Sequence, residues 1–374
     1  MSTADRTKEY LRQPNLFTER FSGHISPDME RMLAKRVTRR NPFRVDSVPL
    51  INRIYKYPFE KWSSPGKQAL FGVANVGLFY AYQRLSPAAA KGTFFFEARG
   101  TSRRITFDGR NTQFASVYFS MYAYGYEPEV TALLDVIMPD DGVFYDIGSN
   151  WGYLSLFVAS KPGFRGKIHA FEPFPPTFAD LQSVVSQAQI IDRVVIHNEA
   201  VADTPGETTM RIPDLLHSGW ATMEEVSDKP SSREKKIRVT TLDTLKLEPP
   251  SVLKVDAERA EAKILKGGRR LLEEHRPMIV FESLKSLSEP DVTLEPFWIL
   301  KEAGYRFFRP GWLRRSGSHT YFLGGDSHAP PTADDVISLL PHNPEERLLS
   351  YDQVNIFACH ERELPRLHSL FSGV

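Results

Sequence analysis

The stretch 143–156, V-F-Y-D-I-G-S-N-W-G-Y-L-S-L, constrains this chain more than any other. An apolar run of buried-strand type breaks at Asp146-Ile147-Gly148-Ser149-Asn150-Trp151-Gly152, and apolar residues then resume at helical spacing through Leu154, Leu156, Phe157 and Val158. The order is strand, glycine turn, helix. In a parallel α/β sheet such a turn lies outside the carboxyl end of a strand, where ligands of this architecture bind, and its glycines let backbone and ligand approach closely. The dinucleotide fingerprint G-x-G-x-x-G is not met, because counting from Gly148 the second position is Asn150 and the third Tyr153. Glycine-rich turns also occur where nothing binds, so the turn needs a second observation.

The next segment supplies one. Residues 167–171 read as the neighbouring strand and end in Glu172-Pro173, with Glu172 lying 24 residues beyond Gly148. An acid about 20 residues after the turn, at the tip of the adjacent strand, is placed to accept hydrogen bonds from ribose hydroxyls.

The rest of the chain sets limits. At 374 residues it can hold one large domain with extensions or two smaller ones. A net charge of +1 gives no global attraction to nucleic acid or to an anionic membrane. The single cysteine, Cys359, excludes an intrachain disulfide framework and a multi-cysteine zinc site, and it fits a reducing compartment, with the cytoplasm as the expectation. The first 40 residues carry scattered charges where a secretory signal needs an apolar run. The longest apolar run, 69–82, is shorter than the roughly 20 residues of a spanning helix, so it reads as a packed helix and no transmembrane segment is expected.

Along the chain, residues 1–65 form an N-terminal extension, with a helix start at Ser26-Pro27 and a basic run, Lys35-Arg36-Val37-Thr38-Arg39-Arg40. That run is either the solvated face of an extension helix or a site for an anionic partner. Residues 66–138 hold the 69–82 helix and a β-hairpin, with strands at 93–98 and 103–107. The aromatic stretch 114–126 suits core or the wall of an acceptor pocket, and Glu127-Pro128-Glu129-Val130 opens a helix to Ile137. Further strands are expected at 194–198, 252–255, 278–281, 305–308 and 354–359, with an insertion over 207–242. Between the last two strands lies an excursion over 311–352, carrying Arg314, Arg315 and His319, whose length suggests a lid over an acceptor.

With both ends of the core read, the motifs can be taken together. Glu127-Pro128-Glu129, Asp146-Ile147-Gly148-Ser149-Asn150-Trp151-Gly152, Ala170-Phe171-Glu172-Pro173, Asn198-Glu199-Ala200, Thr241-Leu242-Asp243, Lys254-Val255-Asp256-Ala257-Glu258 and Leu265-Lys266-Gly267 resemble, in order and spacing, the FkbM family of methyltransferases. The resemblance covers roughly 126–282. It implies an α/β fold of the class I methyltransferase kind over 139–374: a Rossmann-like sheet, mostly parallel with an antiparallel last strand, and helices on both faces. It implies S-adenosyl-L-methionine as cofactor and O-methylation of a sugar, glycan or polyketide-type hydroxyl. The cofactor residues it implies are Asp146 toward the cationic methionine end, Gly148, Asn150 and Gly152 in the turn, Glu172 at the ribose, Ala202 and Asp203 beside the adenine, and Asp256. One position departs from the family: Arg259 stands where its D-x-E-G-x-E segment has glycine. Either the turn needs no positive φ here, or a cation has been placed near the site, for an anionic acceptor or for local pairing with Glu258 or Glu261.

Methyl transfer from a sulfonium is an in-line displacement, so the protein supplies alignment and, for a hydroxyl, a base. The candidates are His217, Asp256 and Glu258, and Asp256, Glu258 and Glu282 are also oxygen donors that could assist through a metal. The Asn-Pro-Pro-Tyr type of segment used by many base N-methylases is absent after the fourth strand, which counts against nucleic-acid amines. The expected partner is a small-molecule or glycan acceptor. Rival readings are N-methylation of a peptide or small molecule, and a scaffold that binds the cofactor without turnover.

Overall fold

The structure, a computed structural model, describes residues 32–49, 52, 90–119, 122–212, 233–257, 259–316, 319–324, 331–332, 335–350 and 353–372. The expected helix at 69–82, the helix start at Ser26, His217 and Glu258 lie outside them.

In chain order the first elements are β1 (Leu33–Arg36), β2 (Phe43–Ser47), β3 (Lys91–Ala98), β4 (Thr101–Asp108) and α1 (Pro128–Ile137). The core follows as β5 (Val143–Ile147), α2 (Tyr153–Ala159), β6 (Lys167–Phe171), α3 (Pro175–Ala188) and β7 (Val194–His197). A side sheet is built from β8 (Ala200–Val201), β9 (Gly206–Ile212) and β10 (Arg233–Thr240). The chain then returns through β11 (Val252–Val255), α4 (Glu261–Lys266), α5 (Arg269–His275), β12 (Met278–Leu284) and α6 (Pro290–Glu302). It ends with β13 (Tyr305–Ser316), β14 (His319–Gly324), β15 (Val336–His342), β16 (Gln353–His360) and α7 (Leu364–Phe371).

The main sheet runs β1-β15-β13-β16-β12-β11-β5-β6-β7, with β14 paired to β13. Strands β12, β11, β5, β6 and β7 are mutually parallel. The expected antiparallel strand is β16, seated against β12, and beyond it the sheet continues antiparallel through β13, β15 and β1. Side chains alternate between faces along each strand. Phe144, Val252 and Val280 therefore join the core with α1, α2 and α3, while Tyr145, Ile147, Leu253 and Val255 join the one with α4, α5 and α6. Asp146, Lys254, Asp256 and Glu282 follow the same alternation onto the α1 and α2 face.

Two expectations change. The stretch 311–352 is not one long loop: β13 runs on to Ser316, folds back as β14, and pairs over 307–313 with β15. The backbone groups of β13, β14 and β15 that face one another are paired within the sheet. Arg314 lies 4.0 Å from Asp335, whereas the side chain of Arg315 is outside the described residues. The basic run is not a helix face, because Lys35 and Arg36 belong to β1. Arg39 forms a buried ion pair with Asp335 at 2.7 Å and lies over the Trp312 ring, and Arg40 binds Asp135 and Ser160.

The hairpin β3–β4 turns on Arg99 and Gly100 alone, both left-handed, as a tight two-residue turn requires. With β2 it forms a three-stranded sheet whose phenylalanines pack around Trp151 in the glycine turn after β5. Trp151 stacks on Phe114 at 4.9 Å and meets Phe43 and Phe94 edge-on. The aromatic stretch thus divides: Phe114 and Tyr118 are core, while Tyr126 reaches the site described next.

Candidate functional site

The turn after β5 is closed on itself. Gly148 and Ser149 both donate their amides to the Phe171 carbonyl, Asn150 donates to Glu172 Oε2 at 3.0 Å, Trp151 to its neighbour's Asn150 Oδ1, and Gly152 to the Ser149 carbonyl. All five amides from Gly148 to Gly152 are used inside the protein. A pyrophosphate needs such N–H groups free, so this turn is unsuited to a dinucleotide but not to a ligand that brings hydroxyls and positive charge.

Gly148, Asn150 and Gly152 all take positive φ, of 77°, 53° and 95°. The glycine at 148 has a reason besides ligand approach. A Cβ there would stand 1.7 Å from the Asp256 carbonyl oxygen, so the backbone just past β11 closes directly onto Gly148. At Gly152 a Cβ would press Leu181 of α3 at 2.7 Å.

Glu172 is buried and accepts two amides, Phe174 N at Oε1 (2.8 Å) and Asn150 N at Oε2 (3.0 Å). A carboxylate has about four lone-pair sites, so further acceptor capacity remains. Burial pushes its carboxyl up to about 7, the two amides pull it back in part, and the nearby Asp146 adds to the rise. Asp146 lies beneath the turn, where its Oδ2 accepts the Ser155 hydroxyl at 2.6 Å. Burial raises it to about 6 against the Ser155 bond and the Lys254 charge. Ser149 Oγ is buried with no hydrogen-bond partner among the described residues.

Ala202 and Asp203 are held elsewhere. The Ala202 amide is taken by the Thr240 carbonyl, and its own carbonyl abuts Gly267 just past α4, while Asp203 is exposed. No hydrogen bond links either to the turn.

Beside the turn, at the ends of β11 and β12, carboxylates converge. One oxygen from each of Glu127, Asp256 and Glu282 lies within 4.8 Å of the other two. They share an internal cation. Lys254 is fully buried, with Nζ 3.2 Å from Asp256 Oδ2 and 3.3 Å from Asn355 Oδ1. Burial alone would lower its pKa, but Asp256, Glu127 and Glu282 outweigh burial and hold it above the ordinary lysine value. The Tyr126 hydroxyl faces the same group, its pKa raised first by Glu127, then by burial, Asp256 and Glu282. Glu282 also accepts from Gln353. Asp256 is the partly exposed member, its side chain 28% accessible.

Sequence reading placed Asp256 here and missed Lys254 and Glu127 as site residues. The signal was present: a lysine inside the buried-strand run Val252-Leu253-Lys254-Val255 must be partnered. Arg259 takes φ of 76°, so the family's glycine position does demand a left-handed residue. Its side chain is exposed, and it makes no ion pair with Glu261, whose buried carboxyl accepts the Ala257 amide at 3.1 Å.

The chain's residues 135–307 match the profile of the methyltransferase FkbM domain. This segment is an FkbM methyltransferase domain. The FkbM domain uses S-adenosylmethionine, and the Ser149 hydroxyl, the Glu172 carboxyl and the acids around them fit a cofactor of ribose and positive charge. No curated protein matches the chain. Among solved structures it is similar to methyltransferase FkbM from Methylobacillus flagellatus KT, at 20% identity and a TM-score of 0.33, over 54% of this chain and 44% of that one. It is also similar to a precorrin-6y C5,15-methyltransferase from Geobacter metallireducens GS-15, at 15% identity, TM-score 0.33, over 63% and 88% of the two chains. A third is a putative O-methyltransferase from Klebsiella pneumoniae, at 13%, TM-score 0.31, over 57% and 79%. The chain thus spans less than half the length of the Methylobacillus protein, and likenesses this loose add no argument about the FkbM domain's chemistry.

Proposed function

We propose that the chain methylates a hydroxyl oxygen of a sugar, a glycan or a polyketide-type product. The observation that carries this reading is the position of Asp256: its carbonyl touches the cofactor turn at Gly148, while its partly exposed carboxylate is held by Lys254. A hydroxyl acceptor needs a proton acceptor beside the methyl donor, and an amine already free of its proton does not. Bound S-adenosylmethionine supplies a methyl group on a positively charged sulfur that leaves as a neutral thioether. Glu172 and Ser149 hold the ribose side, Asp146 stabilises positive charge from beneath the turn, and Asp256 receives the acceptor's proton as its oxygen gains the methyl. Holding the two reactants in line is the larger share of such catalysis.

The test is a panel of nucleotide-sugars, glycans and polyketides incubated with S-adenosylmethionine, read as release of S-adenosylhomocysteine and repeated with Asp256→Asn. Turnover on a hydroxyl acceptor that drops at least about 100-fold in the variant, the usual worth of a general base, supports the reading. Turnover only on amines, or calorimetric binding of S-adenosylhomocysteine with no product from any acceptor, would replace it with N-methylation or with a scaffold.

A further inference from the structure

We propose that Tyr122 and Tyr126 select the acceptor, as a pair of rings that seats a sugar ring beside Asp256 in preference to a polyketide. The inference rests on the methyl-transfer reading given above and chooses among the acceptors it allows. The turn leading into α1, Tyr122-Ala123-Tyr124-Gly125-Tyr126, holds three tyrosines in five residues. Its place is fixed from both sides. The Tyr126 amide donates to the Tyr153 hydroxyl oxygen at 2.9 Å, and Tyr153 is the first residue of α2, directly after the glycine turn. Glu127, the next residue along, carries one of the three carboxylates that lie within 4.8 Å of one another, with Asp256 and Glu282. Tyr126 is therefore held between the cofactor turn and the carboxylates. Its ring meets Tyr153 edge-on at 5.4 Å, and Tyr122 meets Tyr126 edge-on in turn at 5.2 Å. Tyr122 and Tyr126 are half-buried and Tyr124 between them is exposed, so the series of rings runs from the turn toward the surface.

The chemistry around the pair narrows the acceptor. Phe114 and Tyr118, earlier in the same aromatic stretch, are core, whereas the rings at 122–126 border acids. A tyrosine there offers an apolar face with a hydroxyl at its rim, which suits a ligand that is apolar on one side and wet on the other. The Tyr126 hydroxyl faces the acids, Glu127 foremost, and Asp256 is the partly exposed one among them. Carboxylate oxygens accept hydrogen bonds, so the ligand that matches this wall carries hydroxyl donors around its edge and C–H groups on its faces. A pyranose has both. Its axial C–H groups pack on a tyrosine face while its hydroxyls reach Asp256 and the phenol of Tyr126. A polyketide chain would cover the rings but bring too few donors for the oxygens it desolvates, at about 1–3 kcal/mol for each one left unmatched.

The probes are methyl glycosides of the common neutral hexoses, with an uncharged macrolide aglycone as the polyketide comparison. Each is added to the full chain saturated with S-adenosylhomocysteine and read by saturation-transfer-difference NMR. A glycoside should receive saturation chiefly at the C–H protons of one ring face. Its Kd should rise at least about tenfold in Tyr122→Leu and stay within about threefold of wild type in Tyr122→Phe, which keeps the ring. Tyr126→Phe removes a hydroxyl and no packing, which keeps the test available should Tyr122→Leu fail to fold, and should weaken the same glycoside at least about threefold. Calorimetric affinity for S-adenosylhomocysteine should stay unchanged in all three variants, whereas a merely structural role would lower it together with glycoside binding. Absence of saturation transfer to every glycoside, tighter binding of the aglycone than of any glycoside, or equal glycoside affinity in wild type, Tyr122→Leu and Tyr126→Phe overturns the role of the pair. Glycosides that bind by one face and weaken in the variants, yet give no product with S-adenosylmethionine, overturn the methyl-transfer reading instead and leave the ring pair standing.

Discussion

The pH dependence of cofactor binding provides a sharp test of the turn. Burial holds the Glu172 carboxyl near 7 in the ligand-free fold, against an ordinary value of 4.5. For an acid whose folded pKa is raised, the stability it contributes is fully present below the unfolded pKa and is lost as pH rises through the folded one. The interval is worth about 3 kcal/mol for Glu172, at about 1.4 kcal/mol per unit. Asp146, raised to about 6, and Glu261, raised to about 7, act in the same direction. The ligand-free protein should therefore lose stability between about pH 4.5 and 7. Ribose hydroxyls donate to an ionised carboxylate, and hydrogen bonds to a charged group contribute about 1.5–3 kcal/mol. S-adenosylhomocysteine should accordingly raise Tm more at pH 8 than at pH 5.5, by about 3–6 °C if 1 kcal/mol is worth about 2 °C in a chain of this size. The measurement is a thermal melt with and without ligand across that range, on wild type and Glu172→Gln. The amide leaves one of the two N–H donors facing an NH2 but cannot ionise, so the variant should be less stable than wild type by about 1–3 kcal/mol near pH 4.5, the difference should close or reverse as pH rises through 7, and its ligand shift should not vary with pH. A wild-type shift that is flat with pH, or larger at pH 5.5, would show that Glu172 only ties the turn together and does not meet the ribose.

Two further expectations concern the backbone. Gly148→Ala should destabilise the ligand-free fold by at least about 2 kcal/mol in urea melts, since its Cβ must displace the Asp256 carbonyl and its φ is left-handed; a change under 1 kcal/mol would mean that β5 and β11 part easily. Arg259→Gly should leave stability unchanged or raise it by up to about 1 kcal/mol, because strain at φ of 76° is relieved against the entropy of glycine. A clear loss in the same melts would mean that the arginine side chain holds structure.

Glu127, Asn150 and Arg259, beside this site, take left-handed backbone although none is glycine, as do Arg99, Gln189 and Arg276 elsewhere. Such conformations cost energy and persist where the surroundings over-determine them. Glu127 starts α1 in that conformation beside Lys254, and Asn150 bonds the next amide with its own side chain.

Among the described residues no helix is long and apolar enough to cross a membrane. The strand, turn and helix from Val143 onward, the acid at Glu172, the hairpin through Gly100 and the helix opened by Pro128 were legible because each is encoded within a few neighbouring residues. Even the departure at Arg259 could be seen from position alone, although its φ could not. What the chain order hid is what distant segments do to one another. Residues 311–352 look like a loop until β15 and β1 supply partners for the edge they would otherwise leave open. Arg39 looks like a solvated cation until Asp335, from the other end of the chain, buries it. Gly148 is needed at the turn for a carbonyl more than a hundred residues later, and Lys254 finds its partners on α1, β12 and β16. Periodicity and turn chemistry are local and can be read from sequence, whereas a buried charge is balanced only by groups that tertiary packing brings within a few ångströms.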